Sequence, residues 1–124
     1  RRILQGETIP VFGDGSSRRD YTYIDDILLG VEGALRWVGE HDGVHEIVNL
    51  GESRTVSLEE MIGVLSAELG IDPRIRSLPD QPGDVKRTFA DVSKARRMLG
   101  YAPKWEFREG IRAFLDWYHS RQDS

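Results

Sequence analysis

The sequence has no cysteine and no long apolar run, and each absence excludes a class of protein. Without cysteine among its 124 residues, the chain has no disulfide framework, no thiolate metal site and no cysteine nucleophile. No apolar stretch approaches the roughly 20 residues of a membrane-spanning helix, and nothing resembles a signal peptide. The hydrophobic fraction of 39% and the charged fraction of 31% are typical of a globular protein. We therefore expect a single cytoplasmic domain over residues 1–124.

An excess of positive charge is also absent. The 17 basic residues are outnumbered by 21 acidic ones, so the net charge of -4 provides no overall field to attract nucleic acid or an anionic membrane. Basic character is local, in the pair Arg18–Arg19 and in the group Lys94, Arg96 and Arg97. Two small clusters indicate a small anionic ligand more than a polymer, and we expect neither a nucleic-acid partner nor a membrane.

Several catalytic motifs are missing as well. His41, His45 and His119 have no partner at a metal-ligand spacing such as His-Glu-x-x-His, so no metal site is predicted. No Gly-x-Ser-x-Gly elbow of a serine hydrolase is present. The dinucleotide fingerprint Gly-x-Gly-x-x-Gly fails because Arg18 stands where the third glycine belongs, and because the loop leads into a strand rather than a helix.

The most informative stretch is residues 9–26. A short apolar strand, a turn of Gly, Asp and Ser, the Arg18–Arg19 pair and an alternating aromatic segment follow one another. Guanidinium groups beside an amide-rich loop suit an anion. A β-hairpin with a solvated basic edge accounts for the same spacing, so the residues alone leave both interpretations open. Asp25 and Asp26 are adjacent on the chain, and we interpret them as caps of the next helix rather than as an acid/base pair.

The periodicity of the whole chain predicts an α+β fold with about four helices and a small mixed sheet. Strands are predicted at residues 9–12, 20–24, 46–50 and 74–78. Helices are predicted after Asp26, from Ser57, from Asp91 and from Phe107. The clearest helix start is the capping box from Ser57 to Glu60, in which each residue satisfies an exposed N–H group of the other.

A series of motifs along the chain resembles NAD-dependent nucleotide-sugar epimerases. The matching runs are Pro10-Val11-Phe12-Gly13-Asp14-Gly15, Arg19-Asp20-Tyr21-Thr22-Tyr23-Ile24-Asp25-Asp26, Val48-Asn49-Leu50-Gly51, Pro82-Gly83-Asp84 and Ala90-Asp91-Val92-Ser93-Lys94-Ala95. Their order is similar to the C-terminal part of extended members of the short-chain dehydrogenase/reductase superfamily. UDP-glucose 4-epimerase and UDP-glucuronate 4-epimerase are the nearest types. We expect a fragment that lacks the N-terminal NAD-binding domain.

This resemblance implies a lobe that binds the nucleotide diphosphate of a UDP-sugar. It assigns Arg19 to the pyrophosphate and Asp84 to a ribose hydroxyl. Backbone groups of Pro10 and Phe12 would bind the uracil, and Tyr21 would line the same cleft. The residue types are consistent with these roles, because a phosphate needs charge-assisted donors and a diol needs a carboxylate acceptor.

One substrate-binding position departs from the family pattern. Many relatives carry arginine as a second phosphate ligand where this chain has Gln81, which donates hydrogen bonds but brings no charge. Because this charge is missing, we expect the chain to differ from those relatives in pyrophosphate affinity or in the choice of sugar nucleotide. The run Gln-Pro-Gly-Asp is more similar to the glucuronate-type epimerases than to the glucose-type.

The family's catalytic parts do not occur in residues 1–124. Its glycine-rich NAD loop and its Tyr-x-x-x-Lys pair belong to the N-terminal domain, so the resemblance implies no catalytic and no cofactor-binding residue here. The intact protein would be an isomerase and a homodimer, with NAD bound outside this chain. Two alternatives remain: a non-catalytic interaction module, and the same lobe from a sugar-nucleotide dehydratase or reductase. Apolar surface is expected at residues 21–24 or 47–50, where the absent domain would cover it.

Overall fold

Residues 1–121 are described by a computed structural model with an α+β architecture. The predicted class of four helices with a small amount of mixed sheet is confirmed. The elements are β1 (Thr8–Phe12), β2 (Arg18–Arg19), α1 (Ile24–Glu40), β3 (Val56–Ser57), α2 (Leu58–Leu69), β4 (Arg74–Leu78), α3 (Ser93–Leu99) and α4 (Phe107–Ser120).

The strands form two separate pairs. β1 and β4 are parallel, with a register that runs from Thr8 opposite Arg74 to Phe12 opposite Leu78. β2 and β3 are antiparallel, with Arg18 opposite Ser57. The strands predicted at residues 20–24 and 46–50 are wrong, because both segments lie outside the strands of the described chain. A strand requires a neighbour for its N–H and C=O groups, and no neighbouring strand pairs with these segments in residues 1–121.

The described residues group into two compact units. Unit 1 contains residues 1–19, residues 56–88 and the chain from Arg108 onward; unit 2 contains residues 20–55 and 89–107. Apolar side chains buried in unit 1 are Ile3, Val11, Ile62 and Leu115. The core of unit 2 is formed by Val92, Ala95 and Tyr101, with the partly buried side chains Val48, Leu50, Ala90 and Leu99 packed against it.

The capping box that starts α2 is confirmed. The Ser57 hydroxyl accepts a hydrogen bond from the Glu60 N–H at 3.0 Å, and the Glu60 carboxylate accepts one from the Ser57 N–H at 2.7 Å. Gly70 ends the helix in the left-handed conformation, with φ of 65°. Local sequence therefore determines both ends of this helix.

The interpretation of Asp25 and Asp26 as helix caps is wrong. α1 begins at Ile24, and its N-cap, Tyr23, makes no side-chain capping bond. Asp26 is only 3% exposed, and its two carboxylate oxygens accept hydrogen bonds from the backbone N–H groups of Lys104 and Trp105, both at 2.9 Å. Those two bonds tie a distant loop to α1, so the carboxylate serves tertiary structure rather than the helix end.

One face of α1 leaves apolar side chains exposed. The positions follow spacings of four and three residues, which places them along a single stripe: Ile24, Leu28, Val31, Leu35 and Val38. Ile47 is exposed to 74%, so the apolar exposure expected near residues 47–50 is present although the segment is not a strand. Within residues 1–121 no helix is long and apolar enough to cross a membrane.

Candidate functional site

A polar cavity of about 220 Å³ lies in unit 1, where the end of β1 meets two loops. The loops are residues 13–17, which follow β1, and residues 79–86, which follow β4. Because parallel strands end at the same edge of their sheet, the pairing of β1 with β4 brings these two loops together. The lining residues are Phe12, Asp14, Ser16, Ser17, Asp80, Gln81, Asp84 and Lys86.

Arg19 and Asp84 meet at this cavity. The Arg19 Nη2 atom donates to Asp84 Oδ1 at 2.7 Å, across 65 positions of sequence. Asp84 lines the cavity, and the Arg19 side chain is 29% exposed. A second guanidinium nitrogen of Arg19 donates to the backbone oxygen of Arg18 at 2.9 Å, which holds the side chain in place. Arg19 and Asp84, which the family resemblance predicts to bind pyrophosphate and ribose, are therefore direct neighbours.

The free edge of β1 presents the backbone groups of Pro10 and Phe12. Just after the strand, the Gly13 N–H donates to the Leu78 oxygen of the β4 strand at 2.9 Å, so Gly13 faces β4. Successive residues of a strand direct their backbone groups to opposite edges, which places those of Pro10 and Phe12 on the edge away from β4. Proline lacks an N–H group and is suited to such an edge. Among the described strands none pairs with that edge.

Gly13 lies in the turn between Phe12 and Asp14, two residues that line the cavity. Its φ of 72° is a conformation that side chains with a Cβ atom rarely adopt. A Cβ atom built at this position would lie 2.1 Å from Asp80 Oδ1, so a larger residue here would displace the Asp80 side chain.

The two remaining predicted site residues, Gln81 and Tyr21, belong to different units. Gln81 lines the cavity beside Asp84. Tyr21 belongs to unit 2, where its ring lies 5.6 Å from that of Phe107. The structure thus brings Phe12, Gln81 and Asp84 together with Arg19 beside them, whereas Tyr21 packs within the other unit.

Sequence reasoning missed five polar residues of the cavity: Asp14, Ser16, Ser17, Asp80 and Lys86. The Gly-Asp-Gly and Pro-Asp-Gln turns contain the two aspartates and could have indicated them, but Lys86 has no local motif. Hydrogen bonds from the Ser16 side chain and its N–H lower the pKa of Asp14. The N–H bond measures 2.9 Å, and the turn residue therefore stays ionised and locally satisfied.

A larger, mainly apolar cavity of about 350 Å³ in unit 1 shares the lining residue Asp14 with the polar cavity. Its lining comes from β1, α2 and β4 and includes Val11, Ile62 and Ile75. It lacks lysine and arginine, so it offers no cation to an anionic ligand. We therefore place the candidate site at the smaller, polar cavity.

Unit 2 contains a separate group of carboxyls around residues 51–52. Asp20 accepts hydrogen bonds from three backbone N–H groups, those of Glu52, Ser53 and Ala90, at 3.0 to 3.2 Å. Burial raises the pKa of Glu52 to about 7, and the neighbouring carboxylate of Asp26 contributes to the same shift. Glu52 Oε1 is buried without a hydrogen-bond partner. The hydrogen bonds of Asp20 join two loops of unit 2, so we interpret this group of carboxyls as part of the fold.

We expect the stability of the chain to fall as pH rises from about 4.5 to about 7. In this window Glu52 holds a proton in the folded chain but not in the unfolded chain, so raising the pH favours unfolding. Deprotonation adds a negative charge beside Asp20, Asp26 and Glu106. Allowing for solvent screening, the loss is roughly 1–2 kcal/mol.

Urea unfolding at a series of pH values measures this loss. The variant Glu52→Gln should flatten the profile above pH 4.5, whereas Glu32→Gln, on the exposed surface of α1, should leave it unchanged. Equal slopes for wild type and Glu52→Gln would contradict the assignment.

The described residues contain no candidate metal-binding group, and the loop after β1 differs from a dinucleotide phosphate loop. No group of three or more His, Asp or Glu side chains in residues 1–121 is placed to hold a metal. The loop at residues 13–17 leads into β2 rather than into a helix N-terminus, so it does not form a dinucleotide phosphate site.

Comparison with known proteins gives consistent results. The family model described as GDP-mannose 4,6 dehydratase matches residues 1–114. A UDP-glucuronate 4-epimerase of Thermodesulfobacterium geofontis is 35% identical over 116 residues, which cover 93% of this chain and 34% of that protein. A dTDP-glucose 4,6-dehydratase of Streptomyces griseus is 31% identical over 121 residues, covering 97% of this chain and 36% of that protein.

Solved structures agree in fold. The crystal structure of UDP-glucuronic acid 4-epimerase from Bacillus cereus, in complex with UDP-glucuronic acid and NAD, matches with a TM-score of 0.86 and 32% identity. The match covers 97% of this chain and 38% of that one, so the chain spans little more than a third of the proteins it matches. The chain belongs to the GDP-mannose 4,6-dehydratase family of extended short-chain dehydrogenases/reductases, and its fold is that of the C-terminal lobe of the nucleotide-sugar epimerases.

Proposed function

We propose that this chain is the UDP-sugar-binding lobe of an NAD-dependent nucleotide-sugar 4-epimerase. The observation that carries the proposal is the contact between Arg19 and Asp84 at the polar cavity. A guanidinium group presents a planar set of donors that matches phosphate oxygens, and a carboxylate accepts hydrogen bonds from a ribose diol. The solved relative from Bacillus cereus, whose fold the chain shares, binds UDP-glucuronic acid and NAD.

The substrate would use both the side chains and the strand edge. The unpaired edge of β1 offers the Pro10 oxygen and the Phe12 N–H and oxygen to the donors and acceptors of a pyrimidine ring. Asp84 would release one of its acceptor sites from Arg19 to a ribose hydroxyl, while the guanidinium group turns its other donors to the diphosphate.

Chemistry would take place outside this chain. The sequence contains no Tyr-x-x-x-Lys pair, and we propose that an N-terminal domain supplies it together with the NAD site. The exposed stripe on α1 and the exposed Ile47 support such a domain, because apolar surface of this kind is normally covered. The intact protein would be a cytoplasmic homodimer that acts on a UDP-sugar, without a nucleic-acid or membrane partner.

A dehydratase acting on a related sugar nucleotide is the second candidate. The matching family model is described as a GDP-mannose 4,6 dehydratase, and the relative from Streptomyces griseus is a dTDP-glucose 4,6-dehydratase. Both kinds of enzyme must hold a nucleotide diphosphate, so the cavity supports either. Gln81 and the similarity to a glucuronate epimerase favour the epimerase.

The replacement Arg19→Ala tests nucleotide binding. We expect UDP to shift amide NMR signals near Phe12, Arg19 and Asp84 in the unmodified chain, with weak affinity. The alanine variant should bind at least tenfold less tightly, because a charge-assisted hydrogen bond contributes about 1.5–3 kcal/mol and Asp84 would be left without its cation.

Arg112→Ala is the matched control. Arg112 also belongs to unit 1 and donates to a carboxylate, that of Glu68 at 2.8 Å, but it does not line the cavity. This variant should bind UDP like the unmodified chain. If millimolar UDP leaves all signals of the unmodified chain in place, the nucleotide-binding proposal for this lobe fails.

A further inference from the structure

The proposed site contains one fully ionic pair and little further positive charge. Arg19 is bonded to Asp84, so the pair has no net charge. Gln81 lines the cavity as a neutral side chain, and Asp14 and Asp80 add negative charge. A diphosphate brought here needs a cation besides Arg19, since two anionic groups would otherwise face carboxylates.

Lys86 is the cationic side chain among the residues that line the cavity. It follows Asp84 by two positions, on the loop that also carries Gln81. Lys86 and Asp14 line the same cavity, and the positive charge of Lys86 makes a minor contribution to the lowered pKa of Asp14.

The backbone pairing of residues 86–88 with β2 indicates the direction of the Lys86 side chain. The Arg18 N–H donates to the Lys86 oxygen at 2.8 Å, and the Thr88 N–H donates to the Arg18 oxygen at 3.1 Å. These bonds form a parallel bridge in which Arg18 is opposite Arg87. Side chains alternate along paired strands, so Arg18 and Arg87 lie on one face.

Arg19 and Lys86 therefore share the other face. The contacts of the two arginines agree with this alternation: Arg18 donates to Glu60 at 3.0 Å, whereas Arg19 donates to Asp84 at the cavity. The Cα atoms of Arg19 and Lys86 are two positions apart along the pair and one strand apart across it, which is roughly 8 Å. Two long side chains at that separation can reach one diphosphate.

We propose that Lys86 is the second cationic ligand of the diphosphate and takes over the charge that Gln81 lacks. This inference rests on the proposed function and deepens it. Lysine provides a single compact charge with three donors, whereas arginine provides a planar fork. The site therefore recognises the second phosphate by charge and places few demands on its orientation.

Binding of UDP and of uridine to the 124-residue chain tests the proposal. Lys86→Met should weaken UDP binding about tenfold and leave uridine binding unchanged, since only UDP carries the diphosphate. Adding Gln81→Arg to Lys86→Met should restore UDP affinity, because the charge returns from the neighbouring position. Lys104→Met, an exposed lysine in unit 2, is the matched control and should change neither ligand.

Three outcomes distinguish the role of Lys86 from the proposed nucleotide binding on which it rests. If Arg19→Ala weakens UDP binding and Lys86→Met does not, the role of Lys86 is overturned while the nucleotide site stands. If Lys86→Met weakens UDP and uridine equally, the residue shapes the cavity rather than binding phosphate, and the inference also fails. If the unmodified chain binds no UDP, both proposals fall together.

Discussion

Replacing Asp20 with alanine is expected to lower the free energy of unfolding by about 3–5 kcal/mol. The carboxylate of Asp20 accepts hydrogen bonds from the backbone N–H groups of Glu52, Ser53 and Ala90, which come from two separate stretches of chain. Alanine would leave these donors without their acceptor in a partly buried setting. Because domains of this size are stable by only about 5–15 kcal/mol, the variant should be partly unfolded at 37 °C.

Chemical denaturation monitored by circular dichroism measures this effect. Asp20→Asn keeps one acceptor oxygen and should lose roughly half as much stability as the alanine variant. Asp25→Ala removes an exposed carboxylate from the first turn of α1, so it should cost less than about 1 kcal/mol. Indistinguishable midpoints for Asp20→Ala and Asp25→Ala would show that the three bonds do not stabilise the fold.

The second large effect is expected at Tyr101. Its side chain is 2% exposed, packs with Val92 and Ala95, and donates its hydroxyl hydrogen to the Gly51 oxygen at 3.1 Å. Tyr101→Ala should cost about 3–5 kcal/mol, since it removes a buried ring and leaves a cavity. Tyr101→Phe keeps the ring and should cost only about 1–2 kcal/mol for the unpaired Gly51 oxygen.

The two variants of Tyr101 separate packing from hydrogen bonding. Their unfolding free energies should differ by at least about 2 kcal/mol if packing dominates. A phenylalanine variant as unstable as the alanine variant would instead assign the stabilisation to the hydrogen bond. NMR signals of Gly51 and Ala95 would locate any partial loss of structure within unit 2.

Features specified by neighbouring residues could be predicted from the sequence. The capping box at Ser57, the glycine after α2 and the apolar stripe of α4 depend on residues a few positions apart, and the structure has α2 and α4 where they were predicted. The strand at residues 46–50 failed because its β-branched residues indicate a tendency to pair but not the presence of a partner. Residues 20–24 failed for the same reason.

The sequence predicted the arginine and the aspartate of the candidate site but not its lysine. The motifs around Arg19 and Asp84 identified two side chains that the fold places in contact, although they lie 65 positions apart. Lys86 could not be found in this way, because its direction depends on pairing between residues 86–88 and β2. The roles of Asp20 and Asp26 were missed because both aspartates bind backbone groups that only the folded chain brings near.

The order in which the chain enters the two units limits how the proposed UDP binding can be tested by truncation. Unit 1 is assembled from three stretches and unit 2 from two, and the stretches alternate along the sequence. A single cut between residues 20 and 107 therefore leaves both units incomplete. Loss of UDP binding in such a truncated chain would not distinguish loss of folding from loss of a ligand contact, so point substitutions within the intact sequence are the appropriate test of the proposed site.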